Sequence, residues 1–122
     1  MDKRTLAKAL AVNRLQYGLG LVLTPERNAK VWVGGRAARR GPTKLLAQAL
    51  GVRDLVMGAG ALRSIGDPAA ARAWFAALAV ADGVDVVVTA RAAGIPAASR
   101  AATLAIAVAS TAIGAAYAAS PE

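Results

Sequence analysis

Four apolar segments of about 20 residues each alternate with short polar stretches along the chain. A helix of this length is about 30 Å long, which matches the hydrocarbon thickness of a bilayer. The predicted helices cover residues 5–23, 44–62, 69–90 and 96–119. The last is the most apolar, since no residue from Ala101 to Pro121 is charged. The pattern predicts an all-α protein, with four transmembrane helices in an antiparallel bundle that forms a single domain over residues 1–122.

Turn and capping signals separate the four predicted helices. Segment 24–43 holds glycines, prolines and several basic residues, and is predicted to be a long connection. Asp67 and Pro68 suit the N-cap and first positions of the third helix. Gly94-Ile95-Pro96 separates the third helix from the fourth. We therefore expect one long and two short connections.

Composition removes several function classes. The chain has no cysteine and no histidine, which excludes thiolate and imidazole metal sites and histidine-dependent catalytic triads. We accordingly expect no metal site and no cofactor. Hydrophobic residues make up 57% and charged residues 18%, the opposite of an intrinsically disordered chain.

The net charge of +8 has two interpretations, a nucleic-acid surface or basic loops beside a membrane. The basic residues concentrate between apolar segments and no set of aromatic side chains alternates with them, so we expect no nucleic-acid partner. The first and third connections contain eight lysines and arginines near the span ends, against five on the other side. This predicts a multi-pass protein of the cell (inner) membrane, with those connections in the cytoplasm and both termini outside.

Ionisable residues interrupt three of the predicted spans at similar depths. Arg14 lies in the first span, Arg53 and Asp54 in the second, and Asp82 and Asp85 in the third. Charges at membrane depth are costly unless they are paired or hydrated, so they normally face the bundle interior. Helical spacing also turns polar side chains of the other helices toward a common centre. The predicted binding residues are Arg14, Tyr17, Arg53, Asp54, Asp82, Asp85 and Ser110.

This polar centre has a structural and a functional interpretation. Polar groups between membrane helices often only hold the helices together. If the centre is functional, the main hypothesis is an accessory or small-molecule-binding membrane subunit, with a small apolar or anionic ligand. An alternative is an intramembrane acid–base enzyme or proton-coupled carrier with Asp54, Asp82 and Asp85 as catalytic candidates, so enzymatic activity stays open. A soluble basic helical bundle that binds acidic partners is a third hypothesis. The expected partners are the lipid bilayer and either further copies of the chain or a larger membrane complex.

Small residues form two further patterns. Gly18-Leu19-Gly20 and Gly58-Ala59-Gly60 lack the strand and third glycine of a dinucleotide fingerprint, and indicate close helix packing. A ridge of alanines on the third predicted helix is expected to pack inside the bundle; it consists of Ala69, Ala73, Ala77 and Ala81. A shift of 40 residues also aligns the first two segments, which leaves an ancient duplication open.

Three short motifs resemble those of a known family. The motifs are residues 14–20 (RLQYGLG), 51–58 (GVRDLVMG) and 81–85 (ADGVD). They resemble an uncharacterised family of small four-helix integral membrane proteins from high-GC actinobacteria, which is described as a domain of unknown function. The resemblance would cover nearly the whole chain. It implies a four-helix membrane fold and no established activity, with Arg53-Asp54 and the step from Asp82 to Asp85 as signature positions.

Overall fold

The computed structural model describes residues 1–121, which form a helical bundle. The helices are α1 (Lys3–Leu23), α2 (Pro25–Val33), α3 (Gly35–Ala38), α4 (Gly41–Ser64), α5 (Pro68–Arg91) and α6 (Ala97–Ala119). The all-α prediction is confirmed, and the four long helices begin and end within three residues of the expected positions.

The segment predicted as a long connection is largely helical, which corrects that prediction. α2 begins with Pro25 at its first position and has Glu26 in its first turn and Lys30 in its last. Proline suits a helix start, and these charges match the helix dipole. The proline that ends α1 thus also starts the next helix.

The four long helices form two closely packed antiparallel pairs. α1 lies against α4, and α5 lies against α6. α4 also contacts α5, and α6 contacts α1 over a smaller area, so α1 and α5 are diagonal to each other. α2 contacts α1, α4 and α6 and so covers one end of the bundle.

Glycines allow α1 and α4 to approach closely, as their spacing predicted. A Cβ atom on Gly18 would lie 2.7 Å from the carbonyl oxygen of Gly51, and one on Gly51 would lie 2.7 Å from that of Gly18. Gly58 faces Ala11 and Leu15 of α1 in the same way. The two backbones meet directly, as small residues permit between membrane helices.

The hydrophobic core lies toward the end of the bundle that holds the two termini. Phe75 of α5 and Tyr117 of α6 meet edge to face, with ring centroids 4.7 Å apart. Leu10 of α1 and Leu78 of α5 pack in the same cluster. A second, smaller apolar cluster lies at the opposite end and consists of Leu21, Ala29, Ala38 and Ala47. The buried charged residues lie between the two clusters along the helices.

The outward surface of the bundle is apolar. Large side chains such as Val80 (68% exposed), Leu46 (69%) and Val108 (53%) point away from the core. α4, α5 and α6 are each long and apolar enough to cross a membrane by length and composition. α1 is not among these candidate spans, because polar residues such as Lys8, Asn13 and Arg14 interrupt it. Three of the four predicted spans are therefore candidate membrane spans, and the first, α1, is a helix packed against α4.

The expected position of the alanine ridge is wrong. Ala69, Ala73 and Ala77 are exposed on the outer surface of α5, and Ala81 is half-buried. The opposite face of α5 is filled by larger residues such as Phe75 and Leu78. Alanine is compatible with both lipid and protein surroundings, so its spacing did not indicate which side faces inward.

Two helix starts, those of α1 and α5, are capped by carboxylates. Asp2 accepts a hydrogen bond of 2.7 Å from the backbone N–H of Thr5, which lowers the pKa of the Asp2 carboxyl. Asp67 accepts from the backbone N–H groups of Ala69 and Ala70, at 3.1 Å and 3.2 Å. The predicted N-cap of α5 is thus confirmed.

The Asp67 cap gives a direct stability prediction. Asp67→Ala removes both hydrogen bonds and should lower the free energy of unfolding by about 0.5–2 kcal/mol. Asp67→Asn keeps an acceptor oxygen and should cost less. Chemical unfolding in detergent micelles measures both variants. Equal losses would show that the lost charge, rather than the lost cap, is responsible.

Candidate functional site

Arg14 connects three helices at the centre of the bundle. Its Nη1 donates to Asp54 Oδ1 of α4 at 3.0 Å, and its Nη2 donates to Asp82 Oδ1 of α5. All three residues are buried, with exposed fractions of 7%, 5% and 4% respectively. The side chain of Arg14 thus crosses the diagonal of the bundle, between two helices whose backbones do not touch.

Arg53 extends this contact to a second aspartate of α5. Its Nη2 lies 3.0 Å from Asp85 Oδ2 and 3.3 Å from Asp54 Oδ1. Asp54 Oδ1 therefore accepts from both arginines. The five residues form a charge chain in the order Asp82–Arg14–Asp54–Arg53–Asp85, in which acidic and basic groups alternate. We refer to these five residues as the charge chain.

A cavity of about 360 Å³ lies beside the charge chain and is lined by every one of its members. α1 contributes Leu10, Asn13 and Tyr17 to the lining, and α6 contributes Thr103, Ile106, Ala107 and Ser110. Leu10, Ile106 and Ala107 give the cavity an apolar wall. α1 and α6 contribute more of its lining than the other helices, and they pack less closely with each other than α1 with α4 or α5 with α6.

α2 covers the cavity at one end. Asn28, Val31 and Trp32 of this helix line the cavity. The Trp32 indole Nε1–H donates to Thr89 Oγ1 at 2.9 Å, and the Tyr17 hydroxyl donates to the Asn28 carbonyl at 3.2 Å. These bonds attach the covering helix to α5 and to α1.

The structure brings all seven predicted site residues to one cavity. Arg14, Tyr17, Arg53, Asp54, Asp82, Asp85 and Ser110 line it. Their role in binding or catalysis stays a prediction. Sequence reasoning missed the residues of α2 because that segment was expected to be a loop. It also missed Ile106 and Ala107, although both lie about one helical turn before Ser110, which it did identify.

Three buried polar atoms of the charge chain have no hydrogen-bond partner among residues 1–121. They are Nε of Arg14, Nε of Arg53 and Oδ2 of Asp82. Buried polar groups in proteins are normally satisfied, so each such atom requires an explanation. Two donors and one acceptor beside a cavity suit a polar group that enters it.

The chain matches no protein-family model, no curated protein and no solved structure. The resemblance to a family of small actinobacterial membrane proteins thus stays a prediction from three short motifs. The function has to be argued from the geometry of the charge chain and its cavity.

Proposed function

We propose that this protein is a multi-pass membrane protein that binds a small amphipathic molecule inside its helical bundle. The membrane part rests on the inverted arrangement of polarity. Ionised side chains lie at the centre, whereas α4, α5 and α6 expose valine and leucine on their outer surfaces. Soluble monomers rarely expose apolar patches of this extent, so a bilayer suits this surface better than water. This disfavours the soluble basic bundle that binds acidic partners.

α1 is the proposed fourth span. Its 21 residues give a length of about 30 Å, enough to cross the hydrocarbon region. Arg14 is the residue of α1 whose exposure to lipid would cost the most free energy. It is buried and paired with two aspartates rather than facing lipid. The orientation that follows from the basic residues places α2 at the cytoplasmic surface.

The cavity beside the charge chain carries the binding part of the proposal. An arrangement that only held helices together would require contacts between polar groups but no space next to them. Here a volume of about 360 Å³ adjoins all five charged residues and an apolar wall. Small-molecule sites have this composition, a mostly apolar pocket with a few placed polar groups. Access from the bilayer between α1 and α6 would suit a molecule with an apolar chain and a polar head.

A ligand that co-purifies with the protein would test this proposal. Native mass spectrometry of protein extracted gently from its host membrane should show a mass above that of the bare chain. Ser110→Phe places a ring in the cavity and should abolish the additional mass. Val108→Phe adds the same ring to the outward face of α6 and should retain it.

The control also separates loss of ligand from loss of fold. Both variants should keep a helical circular-dichroism spectrum and an unfolding temperature near that of the unaltered protein. An additional mass that survives Ser110→Phe in a folded protein would place the molecule elsewhere and contradict the proposal.

A second candidate function is acid–base or proton-coupled chemistry by the aspartates. Its supporting observation is that Asp82 and Asp85 lie one helical turn apart and both line the cavity. Two such carboxylates could pass a proton between them. Asp82→Asn distinguishes the two: a folded variant that binds the co-purified ligand but no longer acidifies proteoliposomes supplied with it would favour proton coupling.

A further inference from the structure

The formal charges that line the cavity do not cancel. Arg14 and Arg53 contribute two positive charges, and Asp54, Asp82 and Asp85 contribute three negative charges. The difference is one negative charge in a region surrounded by apolar helices. An uncompensated charge in such surroundings is energetically unfavourable. The site therefore favours an additional positive group.

Both arginines are already paired with carboxylates. Arg14 directs both of its terminal nitrogens at aspartates, and Arg53 does the same. An anionic ligand would compete with these carboxylates and raise the excess to two negative charges. The Nε–H groups of the two arginines remain as donors for a neutral acceptor such as a hydroxyl.

Among the described residues, the charge chain also holds one buried carboxylate oxygen that has no hydrogen-bond partner. Asp82 is 96% buried and lines the cavity, and its Oδ2 has no partner among the described residues. Asp85 lies one turn further along the same face. Tyr17 and Trp32 add aromatic rings to the lining, and such rings attract ammonium groups.

We propose that the cavity selects a protonated amphipathic amine. Its ammonium group would lie beside Asp82 and Asp85, and its apolar chain would lie against Leu10 and Ile106. This inference rests on the proposed function, because it names the chemical class of the ligand for the same cavity. It replaces the small apolar or anionic ligand expected from the sequence with a cationic one, on the basis of the charge balance.

Three probes of equal chain length test the charge preference. They are octylamine, which is protonated at pH 7 because primary amines have pKa values of about 10, neutral octanol and anionic octanoate. The protein is reconstituted in nanodiscs of zwitterionic lipid, so that the bilayer surface does not concentrate one probe. Trp32 lines the cavity, and its emission reports binding when Trp74 is replaced by Phe.

Octylamine should bind about tenfold or more tightly than octanol, as a charge-assisted contact predicts, and octanoate should bind more weakly than either. Asp85→Asn makes the formal charge of the cavity zero and should remove the preference for the amine. Octanol binding should survive this change, which shows that the cavity is still formed. Glu26→Gln removes an exposed carboxylate on α2 that does not line the cavity, and should leave the preference intact.

The other outcomes separate this inference from the proposed function. Equal binding of the three probes, or a preference that survives Asp85→Asn, would overturn the charge selection and leave the binding cavity in place. Tighter binding of octanoate would do the same and favour an anionic ligand. If no probe saturates Trp32 emission, and Ser110→Phe does not abolish an additional mass on the protein extracted from its host membrane, both proposals fail.

Discussion

Replacement of Arg14 by methionine should cause the largest loss of stability of any single change at the charge chain. Arg14 is the contact that Asp54 and Asp82 share, and all three are buried. Without it, Asp82 keeps no ion pair within the described residues, and Asp54 keeps only Arg53. Breaking a buried ion pair from one side typically costs about 3–5 kcal/mol, because a charge is left uncompensated. Unfolding in mixed micelles should show a decrease of about this size.

Arg53→Met is the matched control for this prediction. It makes the same substitution in the same charge chain, but Arg53 is 33% exposed on its side chain and Asp54 would keep its pair with Arg14. The loss should therefore be smaller than for Arg14→Met. Equal losses would contradict the central position that the structure gives to Arg14.

A triple variant asks whether the charges serve stability alone. Arg14→Met combined with Asp54→Asn and Asp82→Asn removes all three charges of this buried cluster. Arg53 and Asp85 remain paired with each other, so no unpaired charge is left. Neutral replacements of buried ion pairs are often as stable as the original, so most of the loss should be recovered. If the recovered protein no longer binds the co-purified molecule, the charge chain has a role in binding that helix packing does not explain.

The helices could be predicted because local signals mark where they begin and end. Asp67 and Pro68 indicate one start, and glycine and proline near residues 94–96 indicate another. The common face of Asp82 and Asp85 follows from helical spacing, which requires no knowledge of the partner helices.

The pairing within the charge chain could not be predicted in this way. Helical spacing turns Arg14 and Arg53 inward, but it does not determine which aspartate each arginine contacts. The contact from Arg14 to Asp82 depends on the diagonal arrangement of α1 and α5, and this arrangement is a property of the packed bundle.

The cavity was also beyond the sequence pattern, for a related reason. Its cover is α2, whose residues Asn28 and Trp32 lie in a segment that was expected to be irregular. Its volume depends on the distance between α1 and α6. The apolar sequence of α6 does not predict that distance. A polar centre can be predicted from charges in apolar segments. A cavity beside it can be recognised only in the three-dimensional structure.

Gly51→Ala should produce the second large effect on stability. The added Cβ would lie 2.7 Å from the carbonyl oxygen of Gly18 and 2.9 Å from Cβ of Leu21, so the backbones of α1 and α4 must separate. Overpacking of this kind costs about 1–3 kcal/mol. Because these helices carry Arg14 and Asp54, separation would also lengthen their 3.0 Å contact and loosen the cavity.

Gly83→Ala provides the control, since it makes the same change in another long helix of this bundle. A Cβ on Gly83 would meet no atom within 4 Å, and alanine favours helices over glycine by about 1 kcal/mol. The free energy of unfolding should therefore fall for Gly51→Ala and stay equal or rise for Gly83→Ala. Ligand binding, followed by the co-purified mass, should weaken only in the first variant. If Gly51→Ala were neutral, α1 and α4 would have to be further apart than the structure shows, and the position of Arg14 between two aspartates would lose its geometric basis.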